Sequence, residues 1–429
     1  MTPCADLPTT SGMNRRSFLT NAVRTGAVGV GLALGGTLGS ARRARAAQGP
    51  IRIGLLSRAF PPAIPTVNDS PIARGFLFAV DELNARGGVL GRPIEVALGD
   101  YTDDPKNVAA WATRLIREDR VDLLVGTITS AERNAAGPAV TAAGKILLYP
   151  TFYEGQSQEY YPGVCNRLIF MFGPEPSQQI YPHVDYMVQH HGKVFYFVGA
   201  DYVAPRVVSR RLKTALEQRG GKITGEEYFP IGAKTDFQPV LERIRDSGAT
   251  VVFGALIQPD NVTFARQFYQ AGMDQKLAYW AFNDSETTTR AKGPQASAGT
   301  YSSFDYFMAV QTPENLAFIK RFRDKYGPDA VMITVGVAMY NAVHMFALAA
   351  EQARSVETDR LITALEGVRF KAPQGEVAMR AKDHQIVVPS HLARARNEWK
   401  GFEDMFDIVR STGLVEPTEA NCTFPLKKK

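Results

Sequence analysis

The feature that most constrains the fold is a repeated alternation of short apolar segments with amphipathic segments. In the first third of the sequence, four runs of aliphatic residues predict buried strands: Ile51 to Leu56, Ile94 to Leu98, Val121 to Val125 and Ile146 to Leu148. Helical periods lie between them. Because a strand–helix–strand order produces mostly parallel sheets with right-handed crossovers, the sequence predicts an α/β fold.

The helices predicted between these strands carry clear start and stop signals. The first places Ile72, Phe76 and Leu83 on one face and ends before Gly87-Gly88, where glycine suits the residue that closes a helix. The second begins at Asp104-Pro105, a capping side chain followed by a proline that fits the first turn. Both signals support the α/β interpretation.

The alternation restarts in the middle of the chain, which predicts a second lobe. Strands are expected at Val194 to Val198, Thr250 to Leu256 and Leu277 to Phe282, and helices at Arg206 to Gln218 and Val262 to Ala271. Later helices are expected at Pro313 to Tyr326, Ala330 to Glu351 and Thr358 to Val368, with short strands near Glu376 to Met379 and Phe406 to Val409. Helices that follow two sheets indicate that the chain returns to complete the first lobe.

We therefore predict a two-lobed clamshell in which each lobe is a mostly parallel sheet flanked by helices. Lobe 1 is expected to contain residues 47–172 and 308–370, and lobe 2 residues 173–307 and 371–429. The C-terminal tail is expected to begin at about residue 411. The part of the chain that follows the leader is longer than a typical domain with a single hydrophobic core, which also favours two domains.

Residues 1–46 have the order of an export signal. Arg15-Arg16-Ser17-Phe18-Leu19 precedes a Gly- and Ala-rich run from Thr25 to Ala41, and Ala44-Arg45-Ala46 follows it. Paired arginines before a weakly hydrophobic run resemble a twin-arginine signal, although Met13 is an alternative start. A membrane anchor is the competing interpretation, but the run is shorter than the roughly 20 apolar residues that span a bilayer. We expect cleavage near Ala46 after export by the twin-arginine translocase, and a periplasmic protein.

This leader also accounts for the basic composition. It contains six arginines and one aspartate, so the remaining chain has 43 basic and 42 acidic residues and a net charge near +1 instead of +6. A nearly neutral chain gives no reason to expect a nucleic-acid partner. Cys165 and Cys422 remain after cleavage, in a compartment that permits disulfides. Sequence leaves open whether they are bonded or free, because it does not give the distance between their Cα atoms.

Catalytic and metal-binding motifs are missing from the sequence. It has no Gly-x-Ser-x-Gly elbow, phosphate loop, Cys-x-x-Cys or His-Glu-x-x-His, and its six histidines do not pair at ligand spacing. We therefore expect a binding protein with no metal or cofactor, and not an enzyme.

Polar loops follow the predicted strands, at the position where open parallel sheets bind ligands. Hydroxyls and phenols dominate these loops, and such groups suit a small neutral solute because they both donate and accept hydrogen bonds. An ionic ligand would require a matching countercharge. The candidate ligand residues are Thr129, Ser130, Tyr149, Thr151, Tyr153, Glu154, Asp201, Tyr202 and Ser285. For any one of them, ordinary turn or capping chemistry is the alternative, as for Ser130 before a helix.

Residues Ile51 to Arg410 resemble the type I periplasmic solute-binding proteins of ABC importers, in the branched-chain amino acid class and its urea and short-chain aliphatic amide branch. The matching phrases are Asp81-Glu82-Leu83-Asn84, Gly87-Gly88-Val89, Leu124-Val125-Gly126, Tyr149-Pro150-Thr151, Tyr153-Glu154-Gly155, Asp201-Tyr202-Val203, Pro205-Arg206 and Ala372-Pro373-Gln374-Gly375. The resemblance implies a cleft between the lobes that closes on its ligand, and membrane permease subunits that read the closed form.

In this resemblance the ligand is held by Ser130, Thr151 and Tyr202, with Tyr149 and Tyr153 nearby. The sequence departs from the branch at Ile128, where an aromatic residue is common, and at Ala204, where Phe or Tyr is common. Smaller side chains at both places enlarge the expected pocket, so a bulkier amide is an alternative to urea.

Three other functions stay open at this point. A branched-chain amino acid ligand would need an acidic residue near its ammonium group, and Asp284 or Glu286 could supply it. A sensor of the same fold would report the ligand to a partner protein instead of a permease. An exported amide hydrolase would need a nucleophile with a base, or a metal cluster, and the sequence contains no motif for either.

Overall fold

The computed structural model describes residues 49–59, 64–152, 154–156, 165–232, 236–418, 422 and 424. The predicted export signal and its cleavage site lie outside these residues. Within them the strands are β1 (Ile51–Ser57), β2 (Ile94–Asp100), β3 (Leu123–Gly126), β4 (Leu147–Tyr149), β5 (Ile169–Met171), β6 (Val194–Ala200), β7 (Lys222–Phe229), β8 (Val251–Ala255), β9 (Ala278–Ala281), β10 (Tyr301–Phe304), β11 (Arg369–Ala372), β12 (Gly375–Met379), β13 (Ile386–Ala395) and β14 (Phe406–Val415).

The helices alternate with the strands over most of the chain. They are α1 (Pro71–Ala85), α2 (Val108–Arg117), α3 (Ser130–Ala143), α4 (Pro176–Ile180), α5 (Val184–His191), α6 (Val203–Glu217), α7 (Gln238–Asp246), α8 (Asp260–Gln270), α9 (Glu286–Lys292), α10 (Pro294–Ser297), α11 (Pro313–Tyr326), α12 (Thr334–Ala353) and α13 (Thr358–Leu365). Short 3-10 turns lie at Val67–Asp69, Pro105–Asn107 and Met273–Gln275. No helix in the described part of the chain is long and apolar enough to cross a membrane.

The first sheet is parallel throughout, with the order β2-β1-β3-β4-β5. Leu55 of β1 pairs with Leu98 on one side and Val125 on the other, so the centre of the sheet is apolar. Helix α12 comes late in the chain but packs against α1. A Cβ atom on Gly75 would lie 1.9 Å from the carbonyl oxygen of Gly336, so the two backbones touch where glycine leaves room. Helix α12 therefore packs on a helix of the first lobe, and the assignment of residues 308–370 to that lobe stays a prediction.

The second sheet is parallel from β7 through β6, β8 and β9 to β10. Strand β13 then pairs with β10 in the antiparallel sense and is flanked by β12 and β14. The protein is thus a two-lobed α/β fold with helices on its parallel sheets, as the strand–helix alternation predicts. The residue boundaries of the lobes stay a prediction.

Strand β13 is an element that the sequence pattern does not reveal. It is ten residues long and nearly all buried, but Pro389, Ser390 and His391 interrupt its apolar run. Two of their polar side-chain atoms have partners inside the protein: Ser390 Oγ lies 2.9 Å from His183 Nε2, and His391 Nδ1 lies 2.8 Å from Ser411 Oγ. Because these partners come from distant segments, hydropathy alone does not mark the strand.

The chain passes between the lobes after β5, after β10 and before β13, and these connections are bonded to one another. The side-chain amide of Gln385 donates to the carbonyl oxygen of Gly173 at 2.7 Å, and the backbone N–H of Met171 donates to the carbonyl of His384 at 2.8 Å. Asp305 accepts from the side chain of Gln374 at 3.1 Å. This bundle of connections is where a hinge between the lobes would bend.

The C-terminal tail is tied to the first lobe by a disulfide between Cys165 and Cys422, whose Cα atoms are 5.5 Å apart. The structure therefore settles the alternative that the sequence left open, in favour of the bonded pair. The backbone N–H of Phe424 donates to the carbonyl of Lys382 at 3.0 Å, and its ring centroid lies 4.6 Å from that of His384. The tail is thus fastened beside the connections between the lobes.

Candidate functional site

A cavity of about 70 Å³ lies between the two lobes. Its lining comes from loops that follow β3, β4, β8 and β9, together with Ile72, Phe304 and the start of α12. This is the carboxyl edge of both parallel sheets, where the strand-end argument places a ligand. The lining residues are Ile72, Ile128, Thr151, Phe152, Ile257, Gln258, Asn261, Asn283, Ser285, Thr287, Thr288, Phe304, Ile333, Thr334 and Val335.

A larger surface cleft of about 760 Å³ lies at the other edge of the second sheet. It is lined by residues that precede β9 and β10, such as Leu277 and Thr300. Because the amino ends of parallel strands are not where α/β sheets bind their ligands, we assign the site to the smaller interlobe cavity.

No ionisable side chain lines the interlobe cavity among the residues that the structure describes. Asp284, an expected partner for an ammonium group, instead pairs with Lys292, and both side chains are buried. Glu286 is buried as well, and its Oε1 accepts the backbone N–H of Met308 at 2.7 Å. Burial raises the pKa of Glu286 to about 8. Neither carboxyl group reaches the cavity, so the lining is neutral.

Three of the expected ligand residues, Ser130, Tyr149 and Glu154, form a buried network with Arg133 beside the cavity instead of lining it. Ser130 Oγ donates to Glu154 Oε2 at 2.8 Å, and Arg133 Nη2 donates to Glu154 Oε1 at 2.8 Å. The side chains of Arg133 and Glu154 are fully buried, and the guanidinium lies 5.1 Å from the ring centroid of Tyr149. Tyr149 in turn donates to the carbonyl of Ile128 at 3.2 Å. The network holds the loops after β3 and β4 together.

Thr129 has a capping role at the start of α3. Its Oγ1 accepts the backbone N–H of Glu132 at 3.2 Å, while Glu132 Oε2 accepts the backbone N–H groups of Ile128 and Thr129 at 2.7 and 2.9 Å. This is a reciprocal capping box, which the sequence permits because Glu follows Thr by three residues. The alternative of capping chemistry is therefore observed for Thr129, one residue before Ser130.

Two of the nine expected ligand residues line the cavity. Thr151 Oγ1 donates to the carbonyl of Thr127 at 3.4 Å, and Ser285 Oγ lies 3.1 Å from Thr287 Oγ1. Tyr202 precedes α6 and packs, with Ala204, against an apolar cluster of the first lobe. Asp201 is half-exposed and pairs with Arg206 at 2.6 Å. Tyr153 lies outside the described residues, and the role of all nine as ligand contacts stays a prediction.

Several polar residues of the lining were not among the expected set. Gln258 and Asn261 follow β8, and Asn283 follows β9. Gln258 and Asn261 follow a predicted strand, so their position at a strand end is a sequence signal for them. Thr334 begins α12, far along the chain from every strand that borders the cavity, so position at a strand end gives no signal for it. In the described residues no cluster of metal-ligating side chains occurs.

Comparison with known proteins gives a consistent picture. The family model described as "Periplasmic binding protein" matches residues 50–400. The leucine-, isoleucine-, valine-, threonine- and alanine-binding protein of Pseudomonas aeruginosa is 26% identical over 322 residues, which cover 72% of this chain and 80% of that protein.

Solved structures share the fold over most of the chain. An ABC transporter substrate-binding protein from Sphaerobacter thermophilus superposes with a TM-score of 0.76 at 25% identity, covering 85% of this chain and 98% of that one. A solute-binding protein of Rhodopseudomonas palustris, in complex with 3,4-dihydroxybenzoic acid, has a TM-score of 0.74 at 21% identity, with 86% and 98% covered. At that identity the second likeness concerns the fold alone. Neither comparison singles out the urea and amide branch.

Proposed function

Since this chain belongs to the periplasmic binding protein family, we propose that its interlobe cavity captures a small neutral polar solute, urea or a short-chain amide. As a solute-binding component of an ABC transporter, the protein delivers its ligand to permease subunits in the membrane. What we propose beyond family membership is the identity of the ligand, urea or a short-chain amide.

The neutral lining of the cavity is the observation that carries the proposal. Burying a charged ligand without a countercharge costs far more than ordinary hydrogen bonds return. The volume agrees, because about 70 Å³ is well below the roughly 300 to 1,000 Å³ of sites for drug-sized ligands. A ligand of a few heavy atoms with polar groups on more than one side suits this space.

A branched-chain amino acid is the second candidate, and the name of the Pseudomonas aeruginosa relative favours it. Such a ligand carries a full positive and a full negative charge, and the positive one would need a carboxylate. Asp284 and Glu286 are the nearest candidates in sequence, but Lys292 bonds to one oxygen of Asp284, the Met308 N–H bonds to one oxygen of Glu286, and neither residue lines the cavity. The contacts of these two carboxyl groups therefore support the neutral ligand over the zwitterion.

Closure of the lobes is the proposed means of capture. Ile128 and Thr151 of the first lobe face the same cavity as Asn283 and Ser285 of the second. A ligand placed there gains contacts with both lobes only in the closed form, so it shifts the population toward that form. Bending would occur at the connections that Asp305 joins.

Calorimetry and thermal unfolding of the chain from residue 47 onward test the proposal. We expect urea or acetamide to bind and leucine and benzoate not to bind. At 100 times its Kd a ligand should raise the free energy of unfolding by about 2.7 kcal/mol. Thr151→Val should weaken amide binding, while Thr363→Val, on the exposed face of α13, serves as the matched control. Binding of leucine without binding of any amide would overturn the proposed specificity.

We also propose that residues 1–46 direct export by the twin-arginine route. Replacing Arg15 and Arg16 together by lysine should stop export, because that route reads the paired arginines rather than their charge. Cell fractionation followed by immunoblotting measures the processed protein in the periplasm. Export of the double-lysine variant at the normal level would exclude the route and leave the binding proposal untouched.

A further inference from the structure

The geometry points to an acceptor pair, Asn261 and Asn283, that recognises N–H groups of the ligand and so selects amides and ureas over equally sized carbonyl compounds. This inference rests on the proposed function and adds to it the direction of the hydrogen bonds. It predicts which neutral solutes the cavity takes, because size and charge alone do not separate them.

Asn283 has a defined orientation in the loop after β9. Its Nδ2 donates to the carbonyl oxygen of Leu256 at 3.0 Å. Only the nitrogen end of a carboxamide can donate to a carbonyl, so this bond fixes which end of the side chain is oxygen. Asn283 Oδ1 is buried, and it has no hydrogen-bond partner among the described residues. The residue itself lines the cavity.

Asn261 provides a second carboxamide oxygen from the first turn of α8. The residue is 3% exposed, it lines the same cavity, and its Oδ1 likewise has no partner in the described part of the chain. A buried acceptor without a donor costs about as much as a lost hydrogen bond. Two such oxygens on one cavity indicate that the missing donors come with the ligand.

Two of the threonine hydroxyls of the lining, those of Thr334 and Thr151, add to this acceptor character. Thr334 Oγ1 donates its proton to Asp305, and Thr151 Oγ1 donates its proton to the carbonyl of Thr127. A hydroxyl has one proton, so what these two side chains can offer to the cavity is lone pairs. The matching ligand therefore carries several N–H groups. A guanidinium ion has such groups too, but no carboxylate lines the cavity to balance its charge.

Acetone, acetamide and urea form a test series, because they have nearly the same shape and carry zero, one and two NH₂ groups. With the chain from residue 47 onward, we expect isothermal titration calorimetry to show tighter binding at each step, by about tenfold for each NH₂ group that pairs a buried acceptor. Acetone binding as tightly as urea would overturn the inference but would leave a neutral-solute protein. Leucine binding with no binding of the series would overturn the proposed function itself.

Variants then assign the effect to the two asparagines. Asn283→Leu removes one acceptor at similar side-chain volume, but it also removes the bond to Leu256. Asn261→Leu removes the other acceptor, in α8, and serves as the second variant if Asn283→Leu does not fold. Each should weaken urea binding by about tenfold or more and bring the affinity of urea closer to that of acetone. Asn107→Leu, at an exposed asparagine, is the control and should change neither value. An unchanged preference for urea in both cavity variants would show that the asparagines are not the acceptors.

Discussion

The two lobes use polar side chains in opposite ways around the same cavity. In the first lobe, Ser130 and Arg133 both bond to Glu154, so the polar groups of these loops satisfy one another. In the second lobe, Asn261 and Asn283 line the cavity, and each has a buried carboxamide oxygen that no described residue satisfies. The comparison indicates that the network of Ser130, Arg133 and Glu154 holds loops of the first lobe in place, while the two asparagines of the second lobe supply unpaired acceptors for a ligand. Mutations of this network and mutations of the two asparagines should therefore affect different quantities.

The largest expected effect is on stability, from breaking the buried pair in the first lobe. Glu154→Leu leaves the Arg133 guanidinium buried without its carboxylate, which typically costs about 3 to 5 kcal/mol. Urea denaturation is unsuitable if urea is the ligand, so guanidinium chloride unfolding measures the change. Arg206→Ala, which breaks a half-exposed pair with Asp201, is the control and should cost less than about 1 kcal/mol. Equal losses in both variants would contradict a structural role for the network.

Ser130→Ala separates the two roles most directly. Removing the hydroxyl takes one donor from the buried carboxylate of Glu154, so we expect the free energy of unfolding to fall by about 1 to 3 kcal/mol. The affinity for amides should change less than it does in Asn283→Leu. The resemblance to amide-binding proteins implies the reverse order, with Ser130 holding the ligand. Calorimetry on both variants decides whether Ser130 stabilises the loops of the first lobe or contacts the ligand.

Much of this architecture follows from sequence because it depends on local patterns. Helix α11 has the bounds that its apolar period predicts, and strands β1 and β6 begin where their aliphatic runs begin. The cavity also lies where strand ends place it. These features need only side-chain period, capping residues and the parallel arrangement of strands.

The direction of the hydrogen bonds does not follow from sequence, because it depends on partners far along the chain. Ser130 was expected to face a ligand, but its hydroxyl donates to a carboxylate 24 residues away. Thr334 donates to Asp305, 29 residues before it, and reaches the cavity only because the chain returns to the first lobe. The sequence does not show whether the hydroxyl of a serine or threonine already donates its proton to another group of the protein.

A smaller effect is expected when the pH is lowered through the pKa of Asp305. Burial raises that pKa to about 6 from an ordinary value near 3.8. The folded protein therefore binds the proton on Asp305 more tightly than the unfolded chain does. Proton binding at Asp305 contributes its full amount to the free energy of unfolding below about pH 4, and this contribution is lost as the pH rises through 6. Once protonated, Asp305 can donate to Thr334, whose own proton then becomes available to the cavity. We expect urea affinity to fall a few-fold from pH 7 to pH 5, and Asp305→Asn to remove the dependence.

The smallest effect concerns Asp201, which the sequence placed among the ligand residues. Its carboxylate is half-exposed and pairs with Arg206 next to the start of α6. Because water and salt screen such a pair, Asp201→Asn should change stability by less than about 1 kcal/mol, and the change should shrink further in high salt. If recognition resides in the acceptors that line the cavity, amide affinity should be the same in this variant. A clear loss of amide affinity would instead show that Asp201 contacts the ligand. Recognition would then involve the loop after β6 as well as the acceptors of the cavity residues.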